Sequence, residues 1–170
     1  MNREYKKKHD IRILTIDGWR TGIKFSSCHM IPHHAKCSRL HGHTYVVHLK
    51  IEGYADENGF LMDFSLIKET LKRIANKLDH RVLLPAKNPY LKLELEGERV
   101  VVNYMKKHYV FPSEDVLILN ITTLTAECLS QYIVEEFLRL AVIPDNIVRV
   151  SAGVDEGPGQ GAWSTVEITE

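Results

Sequence analysis

The chain has 170 residues, 44% of them hydrophobic, and its 22 Lys plus Arg balance 22 Asp plus Glu. That length fits one domain with a sizeable core. A formal net charge of zero gives no bulk attraction to nucleic acid or anionic membranes, and no run of about 18 apolar residues predicts a membrane span. The charged first ten residues, MNREYKKKHD, read as a solvated tail without the apolar segment of a secretory signal, so a cytoplasmic location is expected. Cys28, Cys37 and Cys128 make an odd count without framework spacing, which predicts free thiols in a reducing compartment.

Residues 11–16 form a short β-rich run, followed by an expected turn at Asp17-Gly18 and a second strand over 23–29. Pro32, Lys36 and Arg39 break any period, which predicts a loop over 30–40. From His43 onward Tyr45, Val47, Leu49 and Ile51 alternate with Val46, His48, Lys50 and Glu52, the pattern of a half-buried strand. Asp63 or Ser65 is placed to cap a helix reaching about Leu78, with Ile67, Leu71, Ile74 and Leu78 on its buried stripe. Segments 91–95 and 100–111 flank Glu96-Gly97-Glu98 and read as a hairpin. A strand is expected over 116–121 and a second helix over 125–140, with Leu129, Ile133, Phe137 and Leu140 as its stripe. Further strands are expected over 147–154 and 163–169, on either side of a turn at Gly157-Pro158-Gly159-Gln160-Gly161. This order predicts an α+β domain with a largely antiparallel sheet.

The densest chemistry lies in His29 and Cys37-Ser-Arg-Leu-His41-Gly-His43. His41 and His43 share parity with the apolar set of their strand, so both imidazoles point to one face, and Gly42 between them allows close backbone approach. Three imidazoles with a fourth position open are the donor set of a catalytic zinc. A structural zinc site that also uses Cys37 is the competing arrangement. His33, His34, His48 and His9 add ambiguity; His48 falls on the opposite strand face from His43. Cys37 stands between Lys36 and Arg39, and nearby positive charge favours thiolate, the form that serves as base or nucleophile. Cys28 and Cys128 read as small buried groups.

Asp79 and His80 are a possible dyad in which the carboxylate orients the imidazole. Glu127 stands in the first turn of the second helix, where a carboxylate suits the helix dipole. Glu127 or Glu156 offers two oxygens to a donor edge such as that of a pterin. The Gly-rich run after Glu156 lacks the Lys-Ser/Thr of a phosphate loop.

Taken together, Phe25-Ser-Ser-Cys-His29, Cys37-x-x-x-His41-Gly-His43-x-Tyr45, Met62-Asp63-Phe64, Leu78-Asp79-His80, Thr125-Ala-Glu127 and Glu156 resemble, in order, the motifs of the 6-pyruvoyltetrahydropterin synthase / 6-carboxytetrahydropterin synthase family. The resemblance implies a tunnelling fold: one antiparallel sheet with two helices on one face. It implies trimers whose sheets close into a barrel, stacked in pairs as hexamers with sites between subunits. It implies that His29, His41 and His43 bind Zn2+, that Cys37 is a catalytic base, and that Asp79 with His80 moves the partner proton. Glu156 is the implied pterin anchor, with Glu127 the second candidate and Asp155 or Glu167 positions that blur the match.

Within the family, the three residues between Cys37 and His41 resemble the carboxy-forming enzymes. That implies conversion of 7,8-dihydroneopterin triphosphate to 6-carboxytetrahydropterin, with loss of acetaldehyde and triphosphate, for deazapurine tRNA bases. A pyruvoyl-forming sister enzyme and a non-catalytic zinc or pterin-binding module are the alternatives. Residues 88–112 are longer than in compact members, which implies a hairpin inserted into a single domain over 1–170.

Overall fold

The structure of the protein, a computed structural model, describes residues 10–168. Residues 1–9, which hold most of the expected tail and His9, and residue 169 of the expected last strand lie outside it. The central sheet runs β10 (Gln160–Glu167), β9 (Ile147–Gly157), β3 (His41–Gly53), β2 (Lys24–His29), β4 (Arg81–Pro85), β8 (Val116–Leu119), and β1 (Arg12–Ile16) also pairs with β3.

β3 is long enough to hold two partners along one side: β2 pairs with its first half and β1 with its second. Between them the expected turn is a short helix, α1 (Gly18–Thr21), capped by the Asp17 carboxylate. Gly18 is required there, because a Cβ would lie 2.1 Å from the Val47 carbonyl oxygen.

The alternation in β3 decides which face is buried. Tyr45, Val47, Leu49 and Ile51 point into the main core, and across the ladder Val47, Leu49 and Ile51 oppose Val154, Ala152 and Val150 of β9. Helices α2 (Phe64–Leu78) and α3 (Ala126–Leu140) cover this face. Asp63 caps α2 by accepting from the Ser65 and Leu66 amides, and Thr125 caps α3. The expected stripe Ile67, Leu71, Ile74 and Leu78 is fully buried, each side chain worth roughly 1.5–3 kcal/mol of burial. No helix among the described residues is long and apolar enough to cross a membrane.

The α+β domain with a largely antiparallel sheet is as expected, and two details of the sheets differ. The central sheet is mixed, because β4 runs parallel to both β2 and β8. β2 and β4 are separated in sequence by β3 and α2, and a parallel pair needs such a long connection where a tight turn cannot serve. The expected two-stranded hairpin is a separate three-stranded sheet, β5 (Lys92–Glu96), β6 (Arg99–Tyr104) and β7 (Lys107–Pro112). The apolar run over 100–111 folds back at Met105-Lys106, where Met105 takes φ 53° without a Gly or Pro to announce it. This sheet has its own core of Met30, Leu84, Leu91, Val100, Val102 and Tyr104.

Candidate metal centre and active site

His29 ends β2 and His41 begins β3, and the two are direct ladder partners; His43 opposes Ser27 one step further along the same face. Register thus gathers three imidazoles from distant parts of a hairpin. One nitrogen from each lies within 4.8 Å of the others. The ring centroids are 4.5 Å (His29–His41), 5.3 Å (His29–His43) and 5.1 Å (His41–His43) apart.

Two carbonyls settle which nitrogens are free. His29 Nδ1 lies 2.9 Å from the Leu124 carbonyl oxygen, and His41 Nδ1 lies 2.7 Å from that of Arg39. A carbonyl only accepts, so each Nδ1 carries the hydrogen and each Nε2 keeps its lone pair. His29 is fully buried, and its Nε2 has no hydrogen-bond partner. Burial above all, then His41 and His43, lowers its pKa from 6.5 to about 4, against the opposing pull of the Leu124 carbonyl. A buried, neutral nitrogen without a partner costs stability unless its lone pair accepts from a hydrogen-bond donor or coordinates a cation. The donor set therefore fits a borderline-soft divalent cation such as zinc. Cys37 Sγ is not a member of this group, so the four-ligand arrangement with Cys37 is not assembled here.

The same face carries two more polar groups. Tyr45 is buried, lies 5.9 Å and 5.5 Å from the His29 and His43 rings, and has a hydroxyl without a hydrogen-bond partner. Sequence reasoning gave it no role beyond the apolar alternation, which hides a hydroxyl at the end of a core side chain. Burial first, then the Glu156 carboxylate, pushes its phenol well above the usual range. Glu156 follows Val154 by two residues on β9, which turns it towards Tyr45 and the triad.

Asp155 takes the opposite face. Its Oδ2 accepts from the Trp19 indole at 2.7 Å and from His48 Nε2 at 3.2 Å, while His48 Nδ1 accepts from the Gly18 amide. Asp155 is therefore spent on holding α1, and the pleat separates it from Glu156 although the two are adjacent in sequence. Glu167 pairs with Arg149. Glu127 is exposed in the first turn of α3, held below the usual carboxylate range by its own amide and the Thr125 hydroxyl.

Asp79 is the C-cap of α2 and is laced to β2: its Oδ1 accepts from the Ser26 amide at 2.6 Å, and the His80 amide donates to the Ser26 carbonyl at 2.7 Å. Its Oδ2 lies 2.8 Å from His80 Nδ1. The Ser26 amide, then His80, holds the Asp79 carboxyl below its ordinary value. These bonds leave the His80 ring 84% exposed, so its far nitrogen is open to a proton-transfer partner. His80 borders a groove of about 550 Å³ with Ser26, Cys28, Gly42, Thr44 and Arg81. In the pleat, Ser26, Cys28, Gly42 and Thr44 alternate with the triad. Cys37 is half-buried in the 30–40 loop, where its amide donates to His34 Nδ1 and its carbonyl accepts from Ile31. No hydrogen bond joins Cys37 to His80 among the described residues. Within one chain the triad, Tyr45 and Glu156 share a face, while Asp79–His80 opens onto the groove, which His43 also borders.

Comparison with known proteins places this arrangement. The family description "6-pyruvoyl tetrahydropterin synthase" matches residues 19–166. A Methanocaldococcus jannaschii protein named "Putative 6-carboxy-5,6,7,8-tetrahydropterin synthase" is 37% identical over 153 residues, covering 88% of this chain and 94% of that one. A Pyrococcus abyssi protein of the same name is 32% identical, covering 85% and 87%. The solved Plasmodium falciparum 6-pyruvoyl tetrahydropterin synthase superposes with a TM-score of 0.85 at 28% identity, over 93% of this chain and 99% of that one. The fold is shared as well by a Plasmodium vivax 6-pyruvoyltetrahydropterin synthase, with TM-score 0.87, 24% identity, and 94% and 99% covered. The match over residues 19–166 and the relatives along most of its length show that this chain belongs to the 6-pyruvoyl tetrahydropterin synthase family.

Proposed function

We propose that the chain is a zinc-dependent 6-carboxytetrahydropterin synthase. It converts 7,8-dihydroneopterin triphosphate and one water to 6-carboxy-5,6,7,8-tetrahydropterin, acetaldehyde and triphosphate, the water supplying the second carboxylate oxygen, and its product supplies deazapurine tRNA bases. The observation that carries the reading is the partnerless, buried Nε2 of His29 grouped with His41 and His43, on the face that also presents Glu156. The relatives named for this activity support the choice of product, as does the three-residue gap between Cys37 and His41.

His29, His41 and His43 would hold the zinc, which when bound supplies Lewis acidity towards side-chain oxygens of the substrate. Glu156 accepts two parallel N–H bonds from the pterin edge and fixes the ring; Glu127, exposed at the start of α3, is the second candidate for that contact. Cys37 takes a carbon-bound proton of the substrate side chain. His80, oriented by Asp79, delivers or accepts the matching proton. The family resemblance implies sites between subunits, and on that reading the working site unites the triad of one copy with the dyad of another, in a ring of subunits. Moving protons from side chain to ring reduces the pterin without an external hydride.

The deciding experiment incubates the zinc-loaded protein with dihydroneopterin triphosphate and identifies products by mass. 6-Carboxytetrahydropterin with stoichiometric acetaldehyde is expected. The solved Plasmodium relatives carry the pyruvoyl-forming name, so 6-pyruvoyltetrahydropterin without acetaldehyde is the specific rival. No turnover of either kind would reject both and favour a binding module.

A further inference from the structure

We propose that the three-stranded β5–β6–β7 sheet is a buttress that sets the position of Cys37. The inference rests on the reading of Cys37 as the base. The loop over 30–40 leaves the triad at His29 and returns to it at His41, which are ladder partners. Cys37 therefore rides on a closed excursion whose two ends are metal-ligand candidates. The internal hydrogen bonds of the loop are local turns, such as His34 to Ile31 and Ser38 to His34, and one bond across it, from the Ile31 amide to the Cys37 carbonyl at 2.8 Å. These bonds lie within the loop: they shape it and hold Cys37 to Ile31, but they do not fix the loop against the rest of the fold.

The fixing contacts come from the small sheet and the segment that leads into it. The Tyr104 hydroxyl accepts from the His33 amide at 2.8 Å. His33 has φ 65°, a conformation that a non-glycine residue holds only under constraint. The Tyr90 ring meets the His33 ring edge-on with centroids 3.8 Å apart. Lys107 Nζ donates to the carbonyl of Ser38, the residue after Cys37, and the same ammonium lies over the Tyr104 ring at 5.6 Å. Met30 and Leu40, the first and last residues of the loop, pack into the small core with Val100, Val102 and Tyr104. Cys37 is thus bracketed at positions 33 and 38 by side chains of β6 and β7, and at both loop ends by their core. This core is separate from the one under the helices, so loosening it spares the main fold. Tyr104 and Lys107 are positioning residues.

The test uses the zinc-loaded protein with Tyr104→Phe, Lys107→Met and the double substitution. Phenylalanine keeps the ring packing and removes the acceptor; methionine keeps the stem and removes the donor. Three readouts are taken: amide exchange over residues 31–40, the alkylation rate of Cys37 by iodoacetamide with Cys28 and Cys128 as internal controls, and kcat against KM. In the double variant, exchange over 31–40 and alkylation of Cys37 should rise about fivefold or more, with both control thiols unchanged. kcat should fall about tenfold at unchanged zinc content and KM, because misplacing a reacting group is costly. Unchanged exchange and alkylation in the double variant would overturn the buttress. A loosened loop with undiminished kcat would overturn its positioning role. Cys37→Ala serves as the separate control: full turnover there would reject the base role of Cys37, while the exchange data still decide whether the sheet holds the loop. Should Tyr104→Phe fail to fold, Lys107→Met alone carries the same comparison.

Discussion

His29 Nδ1 lies 2.9 Å from the carbonyl oxygen of Leu124. The chain just before α3 thus fixes the tautomer of a side chain at the end of β2. The helix layer therefore covers the core and also aims the free Nε2 of the most buried imidazole at His41 and His43. Replacing His29 by Ala removes a nitrogen from the set and leaves the Leu124 carbonyl without its donor. Zinc per chain should fall from about one to near zero on the three-imidazole reading. The melting point should also drop, since an unsatisfied buried carbonyl costs about 1–3 kcal/mol. Elemental analysis with a thermal melt checks both; full zinc retention would count against ligation by His29.

Acid should weaken the metal-free protein through the same residue. The folded-state pKa of His29 lies near 4, against 6.5 unfolded. Between those values the unfolded chain binds the proton and the folded one does not. The His29 contribution is therefore complete above about pH 6.5 and is lost as pH falls towards 4. The full span is worth up to about 3 kcal/mol. Chemical denaturation of the metal-free protein at pH 7 and pH 4.5, with His29→Gln as reference, measures it. Equal pH slopes in the two proteins would contradict this assignment.

Asp79→Asn keeps an oxygen for the Ser26 amide but removes the charge beside His80. Stability should change by about 1 kcal/mol or less. kcat should fall by about 10²-fold or more, since His80 loses the group that sets its orientation and basicity. Zinc content should stay the same. A stopped-flow or product assay with metal analysis separates the effects; a loss of zinc would mean that the pair supports the metal site instead.

Glu156→Gln should raise KM for the pterin by about tenfold and leave zinc content unchanged, because a charge-assisted, bidentate contact becomes a neutral one. Glu127→Gln should do less. The reverse order would exchange their roles.

The triad was legible because parity is cheap to read: His41, His43 and Tyr45 follow the apolar set of β3, and a two-residue period cannot place them on different faces. The α2 stripe was legible for the same local reason, and its cap was narrowed to Asp63 or Ser65; the Thr125 cap of α3 was not read. What was illegible depended on distant partners. Nothing local marks β4 as parallel, and nothing at Met105-Lys106 announces a third strand in the small sheet. Asp155 and Glu156 are neighbours whose roles differ only because Trp19 and His48 wait on one face and Tyr45 on the other. The Asp79–His80 contact was only a possibility from adjacency. The Ser26 amide and carbonyl, 53 residues before Asp79, make it a fixed geometry.

The central claim is a division of labour: three imidazoles hold the metal and Cys37 stays free as the base. The absorption spectrum of the cobalt-substituted protein tests it most directly, read beside that of Cys37→Ala. The account predicts d–d bands without strong thiolate-to-cobalt charge transfer, the same spectrum in both proteins, and turnover lost only in the variant. Intense near-ultraviolet charge transfer that vanishes in Cys37→Ala would contradict it and make Cys37 a fourth ligand of a structural site.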